Sequence, residues 1–432
     1  MTRTLAPLAL AGLGLLAACG AEPKAEPADA EGGADGGDTA PVEFYADVAP
    51  VLLDHCVRCH QPGGQGPGDF TDPAVVGAMA EIMLAQVDAG VMPPPVADPD
   101  CRDYIGSEYL SIPDAKRDQI AAWIDGGKVV GEPPDQPLGS PIASELADPD
   151  LALLIPAPYT PSFSDAANPG NEYRCFALEH GQADDFFITA LHPLVDQAEI
   201  LHHAVLFTIP TEELTPEHRS PEGVDCINNM DSTDGMVAAW APGALPIEFE
   251  GAGMRVRSNQ TLILQLHYYQ GADQPLADRS GYALRIAPSV EREIIMAPFA
   301  KYGFNIPPGD AAYSATERIE WTSSFPTVKV WGSFPHMHRL GTGYRLWVDH
   351  PDGSSECLLS GEDRYDFHNQ ITYMFRDPAV VQPGDTVSFE CTWDNSAENP
   401  NQTFDPPQNI RYGERTDEEM CYAFTLVSLG GL

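Results

Sequence analysis

Apolar and polar residues alternate along this chain with two different periods, and the change between them divides it. A continuous apolar stretch from Leu5 to Ala18 comes first. Helical spacing follows in Phe44–His60 (FYADVAPVLLDHCVRCH), in residues 74–87 (AVVGAMAEIMLAQV) and in Ser111–Asp125 (SIPDAKRDQIAAWID). The last of these reads as a closing helix with a Ser cap and a packed Trp123. Beyond residue 166 the period becomes two. Short strands are expected at Phe186–Ala190, Ala204–Thr208, Thr261–Tyr269, Val328–Gly332, Tyr344–Val348 and Thr386–Trp393. With 41 Pro and 38 Gly supplying turns, this half reads as β-sandwiches. A chain of 432 residues exceeds one core, so the expected fold is multidomain: a small α-helical domain, then two all-β sandwich domains.

Composition narrows the function. A hydrophobic content of 43% with 9% aromatic residues is that of a folded chain. The net charge of −41 repels phosphate backbones, which excludes nucleic-acid partners and argues against polyanionic substrates. Arg3 and the Leu5–Ala18 stretch form an export signal too short to span a bilayer. It closes in Leu16-Ala17-Ala18-Cys19-Gly20, which resembles a bacterial lipobox with Cys19 as the lipidated residue. Residues 1–19 are thus expected to be a lipoprotein signal and residues 20–40 a flexible acidic tether. Gly20, where an Asp would signal retention, favours the outer membrane. The expected protein is exported and lipid-anchored at the bacterial envelope, touches the membrane through that anchor only, and lies in an oxidising compartment.

The first helical segment ends in Cys56-Val57-Arg58-Cys59-His60. Two cysteines three apart suit thioether bonds to haem vinyl groups, and the adjacent histidine suits the iron. Residues 41–132 are therefore expected to be a cytochrome c-like domain carrying one covalent haem c on Cys56, Cys59 and His60. Met79, Met83 and Met92 compete for the sixth ligand. The first two have core-filling helical spacing, so Met92, in the loop Gly90-Val91-Met92-Pro93-Pro94-Pro95, is preferred. Residues 133–165, proline-bearing at their start, read as a linker.

Three later strands carry histidines: Ile200-Leu201-His202-His203-Ala204-Val205, Leu264-Gln265-Leu266-His267-Tyr268-Tyr269 and Pro335-His336-Met337-His338-Arg339-Leu340-Gly341. Residues i and i+2 share a strand face, so His336 and His338 form a chelating pair. Adjacent His202 and His203 can hold one metal only if the strand is bulged or ends there. Neutral imidazoles suit copper or zinc, and a thioether biases a site toward copper. A zinc hydrolase reading lacks a carboxylate beside these motifs.

The order of the motifs, followed by Glu418-Glu419-Met420-Cys421-Tyr422, resembles the copper type II, ascorbate-dependent monooxygenases of the peptidylglycine α-hydroxylating and dopamine β-monooxygenase kind. The likeness covers roughly residues 170–432 and includes Ala239-Trp240-Ala241-Pro242-Gly243 and Ile306-Pro307-Pro308-Gly309. It implies two jelly-roll-like copper domains, residues 166–297 and 298–432. His202, His203 and His267 would hold an electron-transfer copper; His336, His338 and Met420 would hold the catalytic, oxygen-activating one. It also implies that O2 hydroxylates a substrate C–H bond, with ascorbate as a possible reductant. Gln265, on the face of His267, would order water or pack. Where peptidylglycine enzymes place a carboxylate-binding Arg and Tyr, this chain has Phe334 and Phe424, which points to a small apolar substrate. A Cys391–Cys421 disulfide matches a family bridge, and Cys101, Cys175, Cys226 and Cys357 leave three pairings open. The reading is a copper monooxygenase fed through its own haem, a periplasmic donor or ascorbate. The alternative is a non-catalytic copper-binding or electron-transfer lipoprotein.

Overall fold

In the computed structural model, residues 40–62, 64–139, 145–165, 170–226, 235–272, 274–413 and 415–430 are described. Cys19, the expected signal and nearly all of the expected tether lie outside them. Helices Ala49–His55, Pro73–Asp88 and Asp114–Asp125 surround Val48, Leu52, Val57, Phe70, Ile120 and Trp123. Asp72 caps the second, its carboxylate accepting the Ala74 N–H at 2.8 Å. The third differs from the Ser-capped expectation: its N-cap is Pro113, and Ser111 is extended. The residue before a proline is driven from the helical region, so Ile112 cannot extend the helix backward to Ser111.

The rest is mainly β-sheet. A five-stranded sheet runs in the order Val224–Asp225, Asn171–Leu178, Gln260–Tyr269, Leu201–Pro210, Met236–Trp240. A four-stranded sheet runs Tyr313–Glu320, Thr386–Trp393, Gly341–Asp349, Ser355–Gly361. Both pack on one larger, nine-stranded sheet whose strands come from both halves. Its seam is Arg292–Ala300, parallel to Ala252–Val256 on one side and antiparallel to Tyr422–Leu429 on the other. The 297/298 boundary drawn from sequence falls within this strand. Alternate residues facing the two smaller sheets build two cores that share a common wall.

Residues 96–110 also join the C-terminal core, where Val96, Ala97, Tyr104 and Leu110 are buried with Phe375, Leu359 and Tyr344. The Asp98 N–H donates to Ser360 O at 2.7 Å and the Ile105 N–H to Met374 O at 2.8 Å. A Cys101–Cys357 disulfide and an Arg102–Glu356 ion pair fasten this strap. The other disulfides are Cys175–Cys226 and Cys391–Cys421. Because Cys101 and Cys357 are 256 residues apart, their bond restricts a very long loop in the unfolded chain. Replacing both by serine is expected to cost about 2–5 kcal/mol, read as a lower denaturant midpoint with a steeper slope, because the freed unfolded chain exposes more surface.

Candidate metal centre

The Leu201–Pro210 strand pairs with Gln260–Tyr269 so that Leu201 faces Tyr268 and His203 faces His267. His202 is the extra residue between them, a β-bulge. The bulge turns two adjacent histidines toward the same third one. Their Nδ1 atoms converge: His202 and His203 are 3.1 Å apart there, and His203 and His267 3.3 Å. Among the described residues these three form a group able to hold a metal, with ligand atoms within 4.8 Å of one another. Two of the opposite nitrogens are occupied. His267 Nε2–H donates to Asn171 Oδ1 at 2.9 Å, and His202 Nε2 lies 3.1 Å from His368 Nδ1. Tyr173 stacks on His267 with ring centroids 4.0 Å apart, which fixes its plane.

The second histidine pair is set the opposite way. His336 Nδ1–H donates to Gln370 Oε1 at 2.6 Å, and His338 Nδ1–H to Glu418 O at 3.0 Å. Nε2 is then the nitrogen each ring has for a metal. Met337, between them, is fully buried in the core, and the Tyr365 hydroxyl grips its backbone. Pairing of Phe334 with Phe424 and His336 with Tyr422 brings Met420 alongside when that register is carried two residues on. Glu419 fastens the two segments. Its carboxylate accepts the N–H groups of His338 at 2.9 Å, Leu340 at 2.7 Å and Met420 at 3.3 Å, and the Trp393 indole N–H at 2.9 Å. Burial pushes its pKa up to about 7 against those four donors. Both oxygens face N–H groups, so the ionised form is the one this cage accepts.

These imidazoles suit copper because they are held neutral. Burial, with His368 beside it, pulls His202 down to about 4. Burial and the neighbouring His202 and His336 hold His203 well below its ordinary value. His267 is likewise held down by burial and by His203 and His202. Burial and His336 pull His338 down to about 3. Metal-free, the unfolded chain takes up protons near pH 6.5 that the folded chain refuses. Stability of the apoprotein therefore falls as pH drops from about 6.5 toward 4 for His202 and 3 for His338. A thermal midpoint that falls between pH 7 and pH 5, and falls less in His338→Ala, is the expected result.

An apolar cluster that includes Phe207, Met236, Ile263, Phe334 and Phe424, with Met420 packed against it, adjoins this centre. Phe334 stacks on Phe424 at 5.9 Å and on His336 at 6.1 Å. Gln265 reaches the same cluster, its amide 3.7 Å from Cys226 Sγ.

The CxxCH segment packs beside the same strand. Gln65 Nε2–H donates to Leu201 O at 2.7 Å, and Arg58 Nη1–H to Gly243 O at 2.9 Å. Cys56 and Cys59 are unpaired thiols, and burial pushes Cys56 up to about 12 and raises Cys59 as well. A redox dithiol needs the reverse shift. His60 Nδ1–H donates to Pro67 O at 2.8 Å, which fixes the tautomer and leaves Nε2 for a ligand. These residues fit a covalent haem. Met92 is 40% exposed on its loop, while Met83 is buried in the helical core. Met79 packs against that core, and a Cβ placed on Gly68 would lie 2.8 Å from its sulfur.

Comparison with known proteins bears on the second centre directly. Residues 296–427 match the model of the C-terminal domain of copper type II ascorbate-dependent monooxygenases. The chain is similar to that family. It is 24% identical to tyramine beta-hydroxylase of Caenorhabditis briggsae over 68% of this chain and 51% of that one. It is 23% identical to the mouse (Mus musculus) DBH-like monooxygenase protein 2, over 54% of this chain and 38% of that protein. For dopamine beta-hydroxylase of Canis lupus familiaris the values are 23%, 54% and 39%. The chain thus spans about half the length, or less, of these relatives.

Sequence reasoning singled out the histidine motifs and missed their partners. Asn171, His368, Gln370 and Glu419 lie far along the chain from the histidines they serve, and a lone amide, imidazole or carboxylate carries no signal of its own.

Proposed function

We propose that the chain is a copper-dependent monooxygenase that hydroxylates a C–H bond of a small apolar substrate with O2. The observation that carries this reading is the pair of differently built histidine centres, one converging through Nδ1 and the other turned through Nε2 beside a methionine. Copper at the His336, His338 and Met420 centre would activate O2, and copper at the His202, His203 and His267 centre would supply the second electron. The chain's own groups prepare this. Gln370 and the Glu418 carbonyl hold His336 and His338 in their ligating tautomers. Asn171 does so for His267. Phe334 and Phe424 offer apolar surface and no charge, so a substrate carboxylate would lose its hydration without a partner.

A haem on Cys56, Cys59 and His60, with Met92 as the proposed sixth ligand, would supply electrons singly. Gln65 ties that segment to Leu201, the residue before His202. Export and a lipid anchor on Cys19 would place the enzyme at the cell envelope, where haem attachment and copper loading occur. Ascorbate or a periplasmic protein would then be the terminal reductant.

The test is oxygen uptake by the copper-loaded, haem-bearing protein with ascorbate and a panel of apolar and carboxylate-bearing substrates. Uptake that depends on an apolar substrate, with one hydroxylated product per O2, is expected. Uptake without product would instead leave a copper-binding electron-transfer lipoprotein. Stopped-flow reduction of the haem should be followed by loss of the copper(II) signal at the His202 centre; persistence of that signal would sever the two modules.

A further inference from the structure

His368 lies in the loop between the Ser355–Gly361 and Tyr373–Val381 strands, in the opposite half of the chain from His202. Its Nδ1 is 3.1 Å from His202 Nε2, with the rings at 74°. His202 already turns Nδ1 toward His203 Nδ1 at 3.1 Å. Its Nε2 must therefore carry the proton if Nδ1 is to ligate, and that proton needs an acceptor. His267 meets the same requirement differently, through Asn171 Oδ1 at 2.9 Å.

We propose that His368 is a positioning residue for the metal centre of the bulged strand, accepting the Nε2–H of His202 and so fixing the His202 tautomer and ring orientation. This rests on the reading that His202, His203 and His267 hold copper. A ligating histidine gains basicity from the group that accepts its second N–H, so the acceptor tunes the affinity and electron density of the metal.

The loop is built to hold this contact. The His368 N–H donates to Asp366 Oδ1 at 2.9 Å. Asn369 Nδ2–H donates at 3.1 Å to Pro95 O, in the loop that carries Met92. Gln370 Nε2–H donates to Phe367 O at 2.8 Å while its oxygen serves His336. Phe367 lies 6.4 Å from the His202 ring. Three consecutive residues thus touch the all-histidine centre, the Met92 loop and the second centre. Seating of His368 on His202 depends on how the C-terminal half meets both other segments.

The experiment uses the haem-bearing protein in a His336→Ala background, so that copper loads the His202 centre alone. Copper affinity is read by competition with a chelator, the midpoint potential by redox titration and ligation by the copper(II) resonance spectrum. His368→Ala is expected to weaken copper binding roughly 10- to 100-fold and to shift both potential and spectrum. His368→Asn places a carbonyl oxygen near the Nδ1 position and is expected to restore most of the affinity and the parent spectrum. Unchanged affinity, potential and spectrum in His368→Ala overturn the proposal, as does a loss in His368→Asn equal to that in His368→Ala. If the His336→Ala parent binds no copper, the ligand reading itself fails and the proposal falls with it. Circular dichroism of each variant separates these outcomes from misfolding.

Discussion

Met420→Ile is expected to abolish hydroxylation while the His202, His203 and His267 centre keeps its copper. Isoleucine is apolar and similar in volume, so packing against Phe334, Tyr422 and Phe424 survives. What disappears is the polarisable thioether, the soft ligand that favours Cu(I) at an oxygen-activating centre. Substrate-dependent oxygen uptake should fall by about 100-fold or more. Copper content should fall by one ion or be held with altered affinity at the second centre only. Undiminished turnover in this variant would remove Met420 from the mechanism.

Glu419→Gln should be strongly destabilising although it changes only one oxygen into an amide nitrogen. The carboxylate is fully buried and accepts from His338, Leu340, Met420 and Trp393. An amide turns an NH2 group toward at least one of these N–H donors and leaves it unpaired. An orphaned buried donor costs about 1–3 kcal/mol, and the opposed NH2 adds its own penalty, so a loss of about 3 kcal/mol is expected. Denaturant unfolding of the apoprotein measures it. The segment bearing His336 and His338 is fastened to the one bearing Met420 through this carboxylate, so copper affinity of the second centre should weaken as well. A change below about 0.5 kcal/mol, the size of an ordinary surface substitution, would contradict this role.

Much of this architecture was legible from local pattern. Thr386–Trp393 forms over the residues whose alternation predicts it, and the Phe186, Leu201, Gln260 and Val328 strands contain their predicted cores. The His202-His203 pair announces its own bulge, since no regular strand turns both rings to one side. Local pattern has no access to pairing between distant segments. The nine-stranded sheet joins Ala252–Val256, Arg292–Ala300 and Tyr422–Leu429, and no period within any of them names its neighbour. The strap at residues 96–110 was hidden for the same reason: Tyr104 and Leu110 fall within the span assigned to a small helical domain, yet they are buried against the C-terminal sandwich. Cysteine count gave an even remainder, while the Cys101–Cys357 partnership needed the fold. At the candidate site the candidate ligands were nominated from spacing and order. The acceptors that choose which imidazole nitrogen faces a metal were not, because Gln370 and Asn171 act across 34 and 96 residues of sequence.

Copper content of the purified protein, measured for the wild type, His203→Ala and His336→Ala, tests the central claim most directly. Two copper ions per chain in the wild type and one in each variant, with a copper(II) spectrum that differs between the variants, is the predicted result. Zinc in place of copper, or no metal lost when either histidine is replaced, would contradict it.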